Sequence, residues 1–209
     1  HMRIILFSLI LLASCRFIDK SGTDAKVVAV VNEPETTEQV TYQYDTAQWK
    51  ELVELEPTIL LDIRYATPDN FVGEQMYDCG KCFLRPEAAT AMVKAQAMLK
   101  NKGYGLLMFD CYRPRPYQQR LWDKVPDARY VTPPAKGSMH NRGLAVDLTL
   151  VDSEGAILDM GTDYDFFGER AYQTFTDLPA DVLANRKLLN ETMDAVGFKP
   201  IRTEWWHFS

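Results

Sequence analysis

The histidines of this chain are few, and they fall in two short segments that constrain the fold more than any other feature. Besides His1, which resembles a cloning-tag remnant, the sequence contains only His140, within residues 138–147, and His207, within residues 204–207. Neutral imidazole is the commonest metal ligand, and a catalytic zinc usually takes three protein side chains and leaves one position for water. Two histidines and one carboxylate would complete such a set.

The spacing inside the first segment requires a turn. His140 and Asp147 are seven residues apart, and an odd separation on an unbroken strand places side chains on opposite faces. The intervening residues 141–143 (Asn-Arg-Gly) favour a turn, since Gly adopts positive φ without strain and Asn tolerates it. The alternation that follows predicts a strand with Asp147 directed away from its apolar face. Either segment alone fits a structural histidine equally well, but together they predict a metal site at His140, Asp147 and His207.

The second segment resembles part of a known zinc motif without being that motif. Glu204 and His207 are three residues apart, as are the Glu and the second His of H-E-x-x-H. Position 203 is threonine, however, so the first histidine of the motif is absent and a zincin helix is excluded. Trp205 and Trp206 between them are expected to pack in the core.

Composition indicates one folded domain and excludes one class of partner. The chain has 209 residues, of which 46% are hydrophobic, enough for a substantial core. Its net charge is −6 and its pI is about 5.1. No nucleic acid partner is expected, because such a chain offers no basic face.

The N-terminal region predicts export and lipidation. Residues 1–14, counted with the tag remnant His1, are predicted to be a secretory signal. They contain one arginine, then a short apolar run, and then small residues that lead to Cys15. The sequence before Cys15 resembles a bacterial lipobox, which implies an exported, membrane-anchored periplasmic lipoprotein held by acyl chains on that cysteine. Residues 15–44 would then form the lipidated N-terminus and a polar tether, followed by a catalytic domain over 45–209.

Periodicity within residues 45–209 predicts an α+β fold. Strands and helices alternate irregularly, which favours a single domain with a central antiparallel sheet flanked by helices and the metal site on the sheet. Helices are predicted at 46–55, 86–102, 117–122 and 179–196, strands at 59–63 and 106–109, and a terminal hairpin from 198–201 and 205–208.

The cysteines of the domain predict a local crosslink. In an exported protein, Cys79 and Cys82 are expected to form a disulfide within their loop. A zinc knuckle is excluded, because the sequence has no second pair of ligands. Cys111 would then remain as a small buried residue.

The two histidine segments resemble a known peptidase family. The pattern Ser138-x-His140-x-x-Gly143-x-Ala145-x-Asp147 with Glu204-x-x-His207 is similar to zinc peptidases that group D-alanyl-D-alanine carboxypeptidases and dipeptidases with lysostaphin-type and hedgehog-type domains. Within that group the chain most resembles the VanX-type D-alanyl-D-alanine dipeptidases. Four further segments carry this narrower resemblance: Tyr65-Ala66-Thr67-x-x-Asn70-Phe71, Leu84-Arg85-Pro86, Asp110-x-Tyr112-Arg113-Pro114 and Met160-Gly161-x-x-x-Asp165.

The resemblance implies a reaction and a role for each matching residue. It implies hydrolysis of the D-alanyl-D-alanine dipeptide with one Zn²⁺ per chain on His140, Asp147 and His207. Glu204 would serve as general base and acid, and Arg113 would stabilise the oxyanion unless it only pairs with Asp110. The substrate would be bound by Tyr65, Ser138, Asp165 and Asp110.

Two other functions stay compatible with the sequence. One is a D,D-carboxypeptidase that trims peptidoglycan stem peptides, and the other is a zinc-bearing domain that binds cell wall without catalysis. An acid such as Asp165 suits a dipeptidase, which must recognise a free ammonium that a long stem peptide lacks. The presence of Glu204 and Arg113 argues against a non-catalytic domain.

Overall fold

The structure is a computed structural model that describes residues 17–18, 24–25 and 45–209. The chain divides into two compact units, residues 1–44 and 45–209. In the first unit, the described residues form an antiparallel pair of strands, β1 (Phe17–Ile18) and β2 (Asp24–Ala25). The predicted signal and Cys15 lie outside the described residues, so export and lipidation stay predictions. Within the described part, no helix combines the length and apolar character needed to cross a membrane.

The second unit alternates short strands with four α-helices along residues 45–209. Three 3₁₀ turns, at Arg64–Ala66, His140–Arg142 and Glu169–Ala171, interrupt its loops. In chain order the elements are β3 (Lys50–Glu51), α1 (Leu52–Leu55), β4 (Leu60–Leu61), β5 (Phe83–Leu84), α2 (Pro86–Lys100), β6 (Tyr104–Asp110), α3 (Arg115–Lys124), β7 (Val146–Asp152), α4 (Ala180–Ala195) and β8 (His207–Phe208).

A four-stranded sheet in the order β4-β6-β7-β8 forms the centre of this unit, and β3 pairs with β5 in a separate antiparallel ribbon. The predicted α+β class is confirmed. The sheet is mixed, however, because β4 runs parallel to β6 while β6, β7 and β8 are antiparallel neighbours. Parallel neighbours need a crossover connection, and the chain between β4 and β6 contains α2.

The two long strands are buried along almost their whole length. Every residue of β6 after Tyr104 is buried, and so is every residue of β7 before Asp152. Helix α2 packs against β6, and α4 packs against β7 and α2. Strands covered on both faces require apolar residues at most positions, which explains the runs Leu106-Leu107-Met108-Phe109 and Leu148-Thr149-Leu150-Val151.

The predicted helices differ from the observed ones mainly at the start of the domain. Helices α2 and α4 begin and end within two residues of the prediction, and α3 is longer than predicted by two residues at each end. The predicted helix 46–55 is wrong. Its centre forms strand β3, which pairs with β5, so a tertiary contact overrides the local helical pattern and leaves only α1.

The cysteine pairing also differs from the prediction. Cys82 bonds to Cys111, which joins the start of β5 to the end of β6. Both sulfurs are buried, and the neighbouring backbones are also bonded, since the amide of Tyr112 donates to the carbonyl of Phe83 at 3.0 Å. The expected Cys79–Cys82 bridge and unpaired Cys111 are therefore wrong. Proximity in sequence misled the prediction, because β5 is placed against β6 by long-range strand pairing.

Gly143 should be intolerant of any side chain. Its φ is +70°, and a Cβ added there would lie 2.4 Å from a ring carbon of Trp49. Gly143→Ala should therefore combine left-handed strain of about 1–2 kcal/mol with overpacking of about 1–3 kcal/mol. We expect a loss of about 2–5 kcal/mol in the free energy of unfolding, measured by urea denaturation.

Gly73 provides a matched control, because its φ is +74° and a Cβ there would meet nothing within 4 Å. Gly73→Ala should lose only the strain of about 1–2 kcal/mol. Equal losses in the two variants would show that the contact with Trp49 does not constrain the turn.

Candidate active site

Strand pairing and one turn bring the predicted ligands together. Asp147 on β7 lies directly opposite His207 on β8 in the antiparallel register, and opposite residues in such a pair have neighbouring side chains. His140 opens the 3₁₀ turn His140–Arg142, which ends at the left-handed Gly143 before β7 begins. The turn supplies the change of direction that the odd spacing of His140 and Asp147 requires.

The ligand atoms of these three residues converge on one point, within 4.8 Å of one another. Nε2 of His140 lies 3.1 Å from Nδ1 of His207 and 3.3 Å from Oδ1 of Asp147. Nδ1 of His207 lies 2.9 Å from the same carboxylate oxygen. Two imidazole nitrogens and one carboxylate oxygen are a donor set that catalytic zinc takes in proteins. The residues present therefore fit the predicted ion.

The tautomer of His140 suits a ligand. Its Nδ1 lies 2.8 Å from the backbone carbonyl of Cys111, and a carbonyl can only accept, so Nδ1 carries the proton and donates. In the neutral ring, Nε2 is then left with its lone pair directed at His207 and Asp147. Metal-bound histidines are commonly fixed in this way by a backbone carbonyl on the far nitrogen.

Charge interactions in this cluster favour an ionised carboxylate. Although burial opposes ionisation, His140 and His207 lower the pKa of Asp147 far below its usual range. Burial acts in the opposite direction on His140 and lowers its pKa, but the charges of Asp147 and Asp110 outweigh burial and raise that pKa. The cluster thus presents a negative charge among nitrogen donors, which is suited to a cation.

Glu204 lies beside the cluster and faces the same cavity. Its Oε2 is 4.0 Å from Nδ1 of His207, and its side chain is 31% exposed. Burial, reinforced by the charge of Asp147, raises the pKa of Glu204 to about 7. A carboxyl group poised near neutral pH can accept and return a proton, which is what general acid–base catalysis needs.

Arg113 is held by hydrogen bonds to buried side chains, and some of its N–H groups remain for the cavity. Its Nε donates to Oδ2 of Asp110 at 3.0 Å and to the hydroxyl of Tyr77 at 3.1 Å. Nη2 also donates to Asp110, and Nη1 donates to Gln118 at 3.1 Å. A guanidinium has five N–H donors. Among the described residues, the side-chain contacts of Arg113 occupy three of them, and the group lines the cavity.

Asp110 holds Arg113 and does not reach the substrate cavity. The sequence predicts it among the substrate-binding residues, but its side chain is fully buried and is absent from the cavity lining. Its Oδ1 accepts from Tyr77 at 2.9 Å, and its Oδ2 accepts from Arg113. The ion pair of Arg113 with Asp110, the alternative that the sequence left open, is thus present, and Arg113 also lines the cavity.

Tyr65 and Asp165 meet at another wall of the cavity. The Tyr65 hydroxyl donates to Oδ2 of Asp165 at 2.8 Å, across a separation of 100 residues. Asp165 has a positive φ of +57°, which is uncommon for a residue other than glycine and often marks a functional position. Burial and the charge of Asp147 raise the pKa of Asp165 well above its usual range. A cationic partner would relieve that unfavourable setting.

The cavity has a volume of about 280 Å³, suited to a small molecule, and is lined by every predicted site residue of the domain except Asp110. Ser138 is one of the lining residues, and its hydroxyl accepts from the amide of His140 at 3.2 Å. Tyr130 and Phe167 face each other at the rim, with ring centroids 4.3 Å apart.

Sequence reasoning missed the groups that support these residues from outside the cavity. Gln118 anchors Arg113, the Cys111 carbonyl orients His140, and the Tyr164 hydroxyl contacts Asp147. Asn141 ties the turn to the next segment, since its amide donates to the carbonyl of Arg113 at 2.7 Å. The sequence did indicate Asn141 as a turn residue, but not its hydrogen bond to Arg113. The others become visible only through long-range packing.

An α+β domain with a His-Asp-His cluster at its sheet edge and a glutamate beside it is an arrangement typical of one class, the metallopeptidases. Within that class, the profile of the Peptidase M15 family, described as D-ala-D-ala dipeptidase, matches residues 45–209. The chain therefore belongs to this family, and the resemblance inferred from its motifs is confirmed.

Similar proteins carry the same description. A D-alanyl-D-alanine dipeptidase of Escherichia coli K12 is 39% identical over 164 residues, which cover 78% of this chain and 85% of that protein. Another, of Enterococcus faecalis V583, is 31% identical over 168 residues, covering 70% and 83%. A solved D,D-pentapeptidase VanY structure in complex with Zn(II) covers 61% of this chain and 72% of its own, at 16% identity and a TM-score of 0.40, too remote to support an argument.

Removing the charge of Asp110 should destabilise the whole site. Asp110→Asn would leave the largely buried Arg113 without its counter-ion, and breaking such a pair from one side costs about 3–5 kcal/mol. We expect a loss of that size in the free energy of unfolding, measured by urea denaturation. Asp194→Asn is the control, because it removes an exposed ion pair with Lys199 and should change stability little. Similar losses in both variants would contradict the assigned role of Asp110.

Proposed function

We propose that this protein is a zinc-dependent dipeptidase that hydrolyses D-alanyl-D-alanine to two D-Ala. The observation that carries the proposal is a single small cavity that combines the His-Asp-His cluster with Glu204, Arg113 and Asp165. Family membership and the names of the relatives support the substrate class.

His140, Asp147 and His207 would hold the zinc on the edge of the sheet. A zinc ion there would supply Lewis acidity, which activates water and polarises the scissile carbonyl. The protein's contribution is the fixed arrangement of the three donors, set by the pairing of β7 with β8 and by the turn at Gly143.

Glu204 would move the proton. It accepts a proton from the attacking water and then donates it to the nitrogen of the leaving D-Ala, so that one carboxylate serves both halves of the reaction. Its position next to His207 and its pKa of about 7 support this role.

Arg113 would stabilise the negative charge that develops on the carbonyl oxygen. Three of its N–H groups donate to Asp110, Tyr77 and Gln118, which prevents the guanidinium from rotating. The orientation of the remaining N–H groups is therefore also restricted. Donors fixed before the reaction stabilise a developing oxyanion with little reorganisation.

Asp165 would recognise the free ammonium of the dipeptide, with Tyr65 orienting it. One carboxylate oxygen accepts from Tyr65, which leaves the other for the ammonium. A carboxypeptidase acting on a stem peptide meets an amide at this position and has no cation to pair with Asp165. This carboxylate therefore favours a dipeptidase over a D,D-carboxypeptidase.

Two variants should separate metal binding from proton transfer. Glu204→Gln should keep about one zinc per chain and lose roughly 10²–10⁴ in kcat for D-alanyl-D-alanine, because the proton acceptor is gone. His207→Ala should lose both the zinc and the activity, because a ligand is gone. Metal analysis and D-alanine release measure the two effects. Equal zinc in wild type and His207→Ala, or near-normal kcat in Glu204→Gln, would overturn the corresponding role.

Acylation of the substrate should distinguish the two peptidase functions. N-acetyl-D-alanyl-D-alanine lacks the ammonium, so its kcat/KM should be at least about a hundredfold below that of the free dipeptide, which corresponds to about 2.8 kcal/mol. Asp165→Asn should lower kcat/KM for the free dipeptide and so reduce the ratio of kcat/KM between the free and the acylated dipeptide. Asp163 is exposed and lies two residues before Asp165, so Asp163→Asn should leave this ratio of kcat/KM unchanged.

Comparable kcat/KM for free and acylated dipeptides in the wild type would reject the dipeptidase and favour a D,D-carboxypeptidase. Zinc binding without turnover of either peptide would favour a non-catalytic domain.

A further inference from the structure

Tyr164 is a tyrosine of the site that the proposed reaction does not use. Its ring stacks on Phe109, with centroids 4.7 Å apart and planes at 21°, and meets the edge of Trp206 at 5.5 Å. It is absent from the lining of the substrate cavity. The ring is therefore held between the sheet and the C-terminal segment, in a position where its hydroxyl has a fixed direction.

That hydroxyl contacts a proposed metal ligand. It lies 2.9 Å from Oδ2 of Asp147, and an ionised carboxylate can only accept, so the tyrosine donates. The other oxygen of the same carboxylate, Oδ1, faces Nδ1 of His207 at 2.9 Å and Nε2 of His140 at 3.3 Å. The two oxygens of Asp147 are thus committed to different partners.

We propose that Tyr164 is a positioning residue that restricts Asp147 to one-oxygen coordination. The inference rests on the proposed zinc site. By holding Oδ2, the hydroxyl turns Oδ1 toward the point shared with His140 and His207, and it keeps the second oxygen from entering the coordination sphere. A zinc ion held by these three residues would then keep one position for water, as catalytic zinc sites require.

The same short segment would serve both ligand and substrate. Tyr164 precedes Asp165, and the two side chains contact different targets: the Tyr164 hydroxyl donates to Asp147, and the Asp165 carboxylate accepts from Tyr65. Tyr65 also lies against the Tyr164 ring, at a centroid distance of 6.2 Å. The segment therefore orients a metal ligand and the proposed ammonium-binding group together.

The test is Tyr164→Phe, which removes the hydroxyl and retains the ring. Zinc affinity, measured by competition with a chromophoric chelator, should fall by about 10–100-fold, as is typical when a supporting partner of a ligand is lost. After replacement of zinc by Co²⁺, the visible absorption should weaken, because Co²⁺ absorbs less as its coordination number rises above four. The metal-free variant should unfold at a similar temperature to metal-free wild type.

Tyr117→Phe is the matched control. Its hydroxyl donates to the carboxylate of Asp78 at 2.7 Å, so it also loses a tyrosine–aspartate hydrogen bond, but Asp78 is not one of the proposed ligands. It should keep wild-type zinc affinity and the wild-type Co²⁺ spectrum. Unchanged affinity and spectrum in Tyr164→Phe would overturn the inference while leaving the zinc site intact. A wild-type chain that binds neither metal would instead reject the proposed function.

Discussion

The pairing of β7 with β8 is the contact on which the rest of the site depends. It places Asp147 opposite His207 and Val146 opposite Phe208. A slip of one residue would turn every side chain of a strand to the other face, which would separate the two proposed ligands and expose Phe208. The full burial of Phe208 and the near-complete burial of Trp206 oppose such a slip. The apolar residues around His207 thus set the position of a polar one.

The turn before β7 depends on a second long-range contact. Gly143 lies against the Trp49 ring, and its carbonyl accepts from the amide of Arg85 at 3.0 Å. The Arg85 guanidinium in turn lies over the Trp49 ring at 4.0 Å. The first residues of the domain therefore pack around the turn that presents His140. The segments of His140 and His207 are thus both held by contacts with distant parts of the domain.

The sequence predicted which residues lie together at the candidate site better than it predicted the fold around them. His140, Asp147 and His207 could be identified because rare residue types recur at spacings that only a turn and a strand reconcile. Helix α2 could be predicted because Pro86 and Gly103 mark its two ends. These are local signals.

Features that depend on long-range pairing were not accessible in the same way. Lys50 and Glu51 form a strand because β5 lies beside them. The family resemblance implies that Asp110 binds substrate. Only the structure shows that its side chain is buried and accepts from Arg113 instead. The contact of Tyr164 with Asp147 depends on how a loop packs on the sheet. Hydrophobic periodicity in the sequence does not predict such packing.

The bond between Cys82 and Cys111 also acts on the chain before it folds. It joins residues separated by 29 positions and encloses all of α2 and β6. A loop of that length removes conformations from the unfolded ensemble that are worth about 3–4 kcal/mol on the chain-entropy account. Much of this contribution arises in the denatured state and so cannot be read from folded contacts. Whether this disulfide is formed in the unfolded chain therefore determines how much conformational entropy β6, the strand before Arg113, loses on folding.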